Sequence, residues 1–284
     1  METTPYPHRV CKNCGHHFEG YYCNLCGEKV IEPKDRKFKS VLSNILISTT
    51  IVDNKFIKSL RLTIFKPGFL SREYVDGRRV PYMRPLQMFF ILNLIYFLFP
   101  VLQMFNSSLY TQLHVLPHRS IARNIVSEKL KDEHLTMMGF ELVYNDKTTR
   151  LAKMLIVLFV VIASLPLSLI FRKKNRFFSD HMALAVELTS FNVAVNAIFL
   201  SLLFWLLNKI LHWSHSGGER FLNDITLTII FVLTNFYFIF LAAKSFYQQK
   251  GKRLILKAVL GIFGLFITLE AYRFLLFAIT MFTI

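Results

Sequence analysis

LAKMLIVLFVVIASLPLSLIF, residues 151–171, decides the fold class. A bilayer core needs about 20 apolar residues in a helix, and this stretch supplies them, with Pro166 near its exit. Four further segments satisfy the same criterion. They run from about Pro85 to Phe105, Ala183 to Leu211, Ile225 to Phe246 and Ala258 to Ile284. Pro100 is placed to kink the far end of the first, and the third is long enough to tilt or protrude. The expectation is an all-α polytopic membrane protein of about five spans.

Composition agrees. Hydrophobic residues make up 53% of the chain, including 29 Phe, mean hydropathy is +0.40, and 18% of residues are charged, below the roughly 25% of a soluble domain. The formal charge of +16 comes from 34 Lys and Arg against 18 Asp and Glu. These basic residues cluster between the apolar runs, so an anionic membrane surface is a better partner than nucleic acid. The first thirty residues are polar and lack the apolar core of a signal peptide.

Lys and Arg in the connectors set the direction. Residues 1–84 carry fifteen, the connector starting at Arg172 carries four in ten residues, and that starting at Tyr247 carries four. Between the third and fourth spans stand only Lys209 and Arg220. The connector 106–150 holds six, at about a third of the density of the short basic connectors, and is predicted to form a small extracytoplasmic cap with a β-like stretch, GFELVYND. Positive residues favour the cytoplasmic side, so the expected topology is amino terminus in, carboxyl terminus out.

All four cysteines fall within sixteen positions, as Cys11-Lys-Asn-Cys14-Gly and Cys23-Asn-Leu-Cys26-Gly. Paired C-x-x-C-G knuckles supply four thiolates for a closed structural Zn²⁺ site. Iron in a rubredoxin-like site is the alternative, for which the spacer is short. His16 and His17 read as surface residues. Thiolates must stay reduced, which independently puts this end in the cytosol. The predicted organisation is a ribbon over 1–32, a basic neck over 33–84 and a helical bundle over 85–284.

In the neck, apolar residues recur at helical intervals between Val41 and Phe65 (Ile45, Phe56, Ile57, Leu60, Ile64, Phe65), with Lys55, Lys58 and Arg61 on other faces. That pattern suits a helix in the headgroup layer. Pro67-Gly68 then breaks it, Gly77 permits a turn, and Arg78, Arg79 and Arg84 become candidates for binding lipid phosphates or other anions.

Pro67-Gly68, Glu73-Tyr74, Gly77-Arg78-Arg79, Tyr82 and Pro85, following a four-cysteine ribbon, together resemble an uncharacterised family of bacterial zinc-ribbon integral membrane proteins. Its pattern is P-G, E-Y-x-x-G-[KR]-R, Y-x-x-P. The resemblance covers about the first 105 residues. It implies a cytoplasmic-membrane protein with metal ligands Cys11, Cys14, Cys23 and Cys26, and it implies no activity.

Polar residues within apolar spans are functional candidates by default. Glu270 and Arg273 share a helix face at i, i+3; Glu187 precedes Asn192 and Asn196, which stack; Asn93 and Asn235 add single positions. Asp180-His181 and His212-Trp-Ser-His215 are weak chemical signals, and no phosphate loop, nucleophile elbow or HExxH is present. Three functions follow as expectations: passage of an ion, solute or lipid through the bundle; a scaffold or regulatory subunit whose ribbon recruits a cytosolic protein; or a lipid-modifying membrane enzyme. Homo-oligomerisation is compatible with each.

Overall fold

The computed structural model describes residues 8–11, 14–26, 54–78, 81–98, 105–133, 136–172, 176–214 and 224–284. Contacts divide the chain into two units, residues 1–54 and 55–284. The amphipathic reading at Ile45, the kink at Pro100, Arg79, Arg220 and the His212/His215 side chains fall outside the described residues.

In the first unit, β1 (His8–Val10) pairs antiparallel with β2 (His17–Glu19), with Val10 opposite His17. Phe18, Cys11 and Cys23 form its small core.

The second unit is helical. After α1 (residues 54–65) come α2 (Phe69–Val75), α3 (Pro85–Leu98), α4 (Leu109–His114), α5 (Arg119–Glu133) and α6 (Met137–Ile170). α7 (Phe178–Phe191) continues through a π-helical segment (Asn192–Leu200) into α8 (Ser201–Ser214); α9 (Asp224–Ser245) and α10 (Gly251–Thr283) complete it. Among the described residues, four helical runs are long and apolar enough to cross a membrane: Met137–Ile170, Phe178–Leu211, Thr226–Ser245 and Gly251–Thr283. The expected first span appears as the shorter apolar α3.

α7 is the central element. Every residue from Ala183 to Phe191 is buried, as expected of a helix enclosed by α2, α3 and α6. Close approach is achieved with small residues, as membrane packing favours. A Cβ on Gly261 would stand 2.7 Å from Ile239 Cγ2, and one on Gly264 would stand 2.9 Å from Pro166 Cβ. The proline inside α6 is thus packed against a glycine of α10.

One expectation is corrected. GFELVYND is helical, because its buried residues, Phe140 and Tyr144, recur every four positions and continue into Thr148 and Ala152. Thr136 starts the helix by accepting from Gly139 N at 3.3 Å. At about 1.5 Å per residue, α6 is roughly 51 Å long and outruns a 30 Å core. Its first turns therefore join α4, α5 and the end of α10 in a second core, Leu109, Leu113, Ala122, Val126, Phe140, Tyr144, Phe277 and Met281.

In α1 the buried positions are Ser59 and Thr63, while Ile57 and Phe65 are exposed. Ser59 Oγ accepts from Met83 N at 2.9 Å, and Thr63 Oγ1 lies 3.9 Å from Met88 Sδ. The helix thus packs on the bundle through Ser59 and Thr63 together with Phe56 and Leu60, and leaves Ile57 and Phe65 exposed.

Asn192, Asn196 and Asn235 close a network between α7, the π segment and α9. Asn192 Nδ2 donates to Asn235 Oδ1 at 2.9 Å, and Asn235 Nδ2 returns a bond to Asn192 Oδ1 at 3.0 Å. Asn196 Nδ2 donates to Asn192 Oδ1 at 2.8 Å, and Thr234 Oγ1 donates to Asn196 Oδ1 at 3.0 Å. Such bonds contribute about 0.6 kcal/mol each in a membrane. We predict that Asn235→Leu costs about 1 kcal/mol and that Asn192→Leu, which breaks several bonds at once, costs about 2 kcal/mol. Equilibrium unfolding in mixed micelles would check that order.

Candidate functional site: a cysteine cluster and a latched neck

The thiol sulfurs of Cys11, Cys14, Cys23 and Cys26 all lie within 4.8 Å of one another. Cys11 Sγ stands 3.5 Å from Cys26 Sγ, and Cys14 Sγ stands 3.7 Å from Cys23 Sγ. Four Zn–S bonds of about 2.3 Å at tetrahedral angles require sulfurs about 3.8 Å apart, so the cluster fits a metal ion of that size. Local backbone sets it up. Cys11 N donates to His16 O and Gly15 N donates to Cys11 O, each at 2.9 Å, and Gly15 has φ 72°. This tight turn reverses the chain after Cys14, and glycine adopts its left-handed conformation without steric cost. His16 and His17 are not needed to complete the set.

The second arrangement lies where the neck meets the bundle. Glu187 is fully buried. Its carboxylate accepts from Gly68 N at 3.0 Å, from Ser71 N at 2.8 Å and from the Ser71 hydroxyl. The first N–H groups of a helix have no partner within it, and Gly68 at the N-cap has no side chain to serve them. Glu187 caps α2 from another helix. Gly68 has φ 77°, and a Cβ there would meet Ser245 Oγ at 2.7 Å and Ala242 Cα at 2.8 Å. Ser245 Oγ donates to Pro67 O at 2.6 Å, Ser71 Oγ lies 3.1 Å from Ala183 O, and Tyr237 OH donates to Ile64 O at 3.1 Å. The Pro-Gly turn is therefore seated between α7 and α9.

The other end of α2 explains the next motif. Arg78 N donates to Glu73 O at 2.9 Å and Gly77 N donates to Tyr74 O at 3.3 Å, with Gly77 at φ 88°. This is the six-to-one, five-to-two pattern of a Schellman stop. The Arg78 side chain folds back onto Glu73, Nε to Oε2 at 2.7 Å and Nη2 to Oε1 at 2.6 Å, the bidentate geometry that suits guanidinium and carboxylate. Asp76 lies 3.2 Å from Nη2. Glu, Gly and Arg thus act as one unit. Tyr82 packs edge-on against Phe69 with centroids 5.8 Å apart and receives Lys58 over its ring at 4.9 Å.

Of the proposed anion-binding residues, Arg78 is engaged with Glu73 and Asp76, while Arg84 is exposed at the start of α3. Asp180 Oδ2 caps its own helix by accepting from Phe177 N at 3.2 Å, and Arg176 approaches it at 3.8 Å. His181 Nδ1 bonds Tyr247 OH at 2.7 Å, and Tyr247 stacks on Phe171 at 4.2 Å. The adjacent acid and imidazole serve different partners. Glu270 and Arg273 pair at 3.3 Å. The sequence reading missed the roles of Gly68 and Ser71 as donors to Glu187, and the Tyr247 partner of His181. A Pro-Gly step signals a turn but not what the turn contacts.

A family model described as a protein of unknown function (DUF3667) matches residues 53–97, the segment from α1 through α3 that holds these neck motifs. No curated protein matches the chain, and no solved structure matches it.

We expect the purified protein to carry about one zinc ion per chain by elemental analysis, and Cys11→Ser or a strong chelator to remove it and open residues 8–26 to proteolysis. A second expectation concerns acid. Hydrogen bonds from Arg78, then its charge, hold the Glu73 carboxyl below its ordinary range against the opposing effect of burial. A depressed folded-state value contributes stability above the unfolded value of about 4.3 and loses it as pH falls through the folded value. Hydrogen exchange at the Arg78 amide, corrected for its intrinsic pH dependence, should therefore accelerate below about pH 4.3. The acceleration should be absent in Glu73→Gln.

Proposed function

We propose that this chain is a multi-pass membrane adaptor whose zinc-held module engages a protein partner in the cytosol while the neck fixes that module's tether to the bundle. The carrying observation is the Glu187 carboxylate, which is occupied by the peptide groups of the neck. A buried carboxylate in a span is the kind of group a transport pathway would use, and here it holds a turn in place. The Asn192–Asn196–Asn235 network likewise bonds within itself. Two interior gaps, around Leu167, Leu188 and Ile239, have mainly apolar linings. These features favour anchoring over passage.

On the module, Val10, Tyr22 and Leu25 are exposed beside the cysteine cluster, apolar surface of the sort that protein contacts use. The fifteen Lys and Arg of residues 1–84 support a cytosolic neck end. Arg84 and the basic connectors would hold anionic headgroups there, at about 1 kcal/mol per residue. With α3 completing the first of five spans, the carboxyl end lies on the opposite side. Zinc is the metal that four thiolates at this spacing favour.

The test is site-directed photocrosslinking in native membranes with probes at Tyr22 and Leu25. A discrete protein adduct that vanishes in Cys11→Ser/Cys14→Ser, with the bundle's unfolding unchanged, is the expected result. Adducts indifferent to the cysteines would overturn the adaptor reading. So would solute flux through reconstituted protein that Asn192→Leu abolishes.

A further inference from the structure

At the end of the bundle away from the neck, two buried polar atoms lack partners among the described residues. Glu270 Oε1 accepts from Arg273 Nη1 at 3.3 Å, but Glu270 Oε2 and Arg273 Nε are each shielded from solvent and without a hydrogen bond. Fully buried Tyr144 and Thr148 of neighbouring α6 stand one helical turn apart on the same face. A buried polar atom without a partner costs about 1–3 kcal/mol, so such a set calls for an occupant.

The depth of the pair follows from contacts. Tyr272, between Glu270 and Arg273 in sequence, donates its hydroxyl to Ala152 O at 3.0 Å. Ala152 lies between the basic residues Arg150 and Lys153 of α6. From Lys153 to Arg172, at the other end of that run, is nineteen residues, or roughly 28 Å of helix, close to the thickness of a hydrocarbon core. Glu270 and Arg273 therefore lie at headgroup level, and their side chains remain 17% and 27% exposed.

His118, at the foot of the cap, packs its ring against Phe274 with centroids 5.0 Å apart. Burial lowers its pKa, with the Glu270 charge opposing and the Arg273 charge assisting, so the ring is neutral near pH 7. Its Nε2 lies 2.6 Å from Gln112 Oε1. With the amide so oriented, Nε2 is the donor and Nδ1 is left as an acceptor.

We propose that this end of the bundle recognises a zwitterion carrying a primary ammonium and a phosphate, the phosphoethanolamine headgroup of a bilayer lipid. As these partly exposed side chains turn toward the headgroup, Arg273 Nε meets the phosphate and Glu270 Oε2 meets the ammonium. A guanidinium suits phosphate oxygens, and a carboxylate oxygen suits an N–H donor. A net anionic headgroup is disfavoured by Glu270, and a choline headgroup offers no N–H. The mutually neutral pair matches a mutually neutral ligand.

The experiment uses the full chain in detergent, exposed to equimolar phosphatidylethanolamine, phosphatidylcholine and phosphatidylglycerol. Retained lipid is counted by native mass spectrometry and unfolding is followed by fluorescence. Phosphatidylethanolamine should be retained over both others. The preference should fall about tenfold in Arg273→Gln and in Glu270→Gln, the loss of one charge-assisted bond, and less in Arg273→Lys. A parallel arm with free O-phosphoethanolamine separates the sources: protection by lipid alone assigns the headgroup in the bilayer, and equal protection by the free compound assigns the same chemistry to a soluble ligand. Equal retention of the three lipids by the wild type overturns the proposal. A preference that survives in variants unfolding at the wild-type midpoint also overturns it.

Discussion

A carboxylate with no access to water must be met by protons, cations or oriented dipoles, because leaving it bare costs several kcal/mol. Glu187 is met by dipoles: the peptide N–H groups of Gly68 and Ser71 and the Ser71 hydroxyl. The requirement is mutual. The start of α2 has orphan donors and no cap of its own, so each partner removes the other's desolvation penalty. The arrangement fixes where the neck enters, which surfaces of α7 and α9 must be small, and why Pro67 O finds Ser245 waiting. Removing either side would leave the other buried and unpaired.

From that seat the neck's sequence is determined residue by residue. Gly68 must be glycine because its φ is positive and Ala242 Cα stands where a Cβ would go. Seven residues later α2 must stop, and Gly77 stops it in the left-handed conformation. Arg78, the next residue, doubles the backbone bond to Glu73 with a side-chain clamp. The family-level match begins at residue 53 and ends at residue 97, which spans this turn–helix–turn and the α3 helix below it.

How much of this could be read in advance depends on distance along the chain. Apolar runs are local, so the long spans are legible from composition. Paired cysteine knuckles are local too. The Glu270–Arg273 pair is legible because i, i+3 spacing on a helix needs no tertiary information. Residues 139–146 mislead because Phe140 and Tyr144, four apart, satisfy both an alternating and a helical pattern; exposed Leu142 and Val143 break the tie. α1 is legible in part: its apolar periodicity picks out Phe56 and Leu60, which pack on the bundle, but does not single out Ser59 and Thr63, the positions buried most deeply. The Glu187 latch joins positions 116 and 119 residues apart, and nothing in either segment names the other.

The two ends of the bundle treat their polar groups differently. Near the neck, Glu187 and, further along the same run, Asn192 and Asn196 find partners inside the protein, and hydrogen bonds saturated in this way fix geometry. At the far end, Glu270 Oε2 and Arg273 Nε keep open valences among the described residues, beside a cap that meets α6 through Leu109 N on Asn145 Oδ1 and through the core around Leu113, Phe140 and Tyr144. Rigidity alone explains the first set, because satisfied groups need no further ligand. It does not explain the second, since replacing Glu270 and Arg273 by apolar residues is often neutral or stabilising in a purely structural core. Their retention at headgroup depth is accounted for when lipid itself completes the bonding.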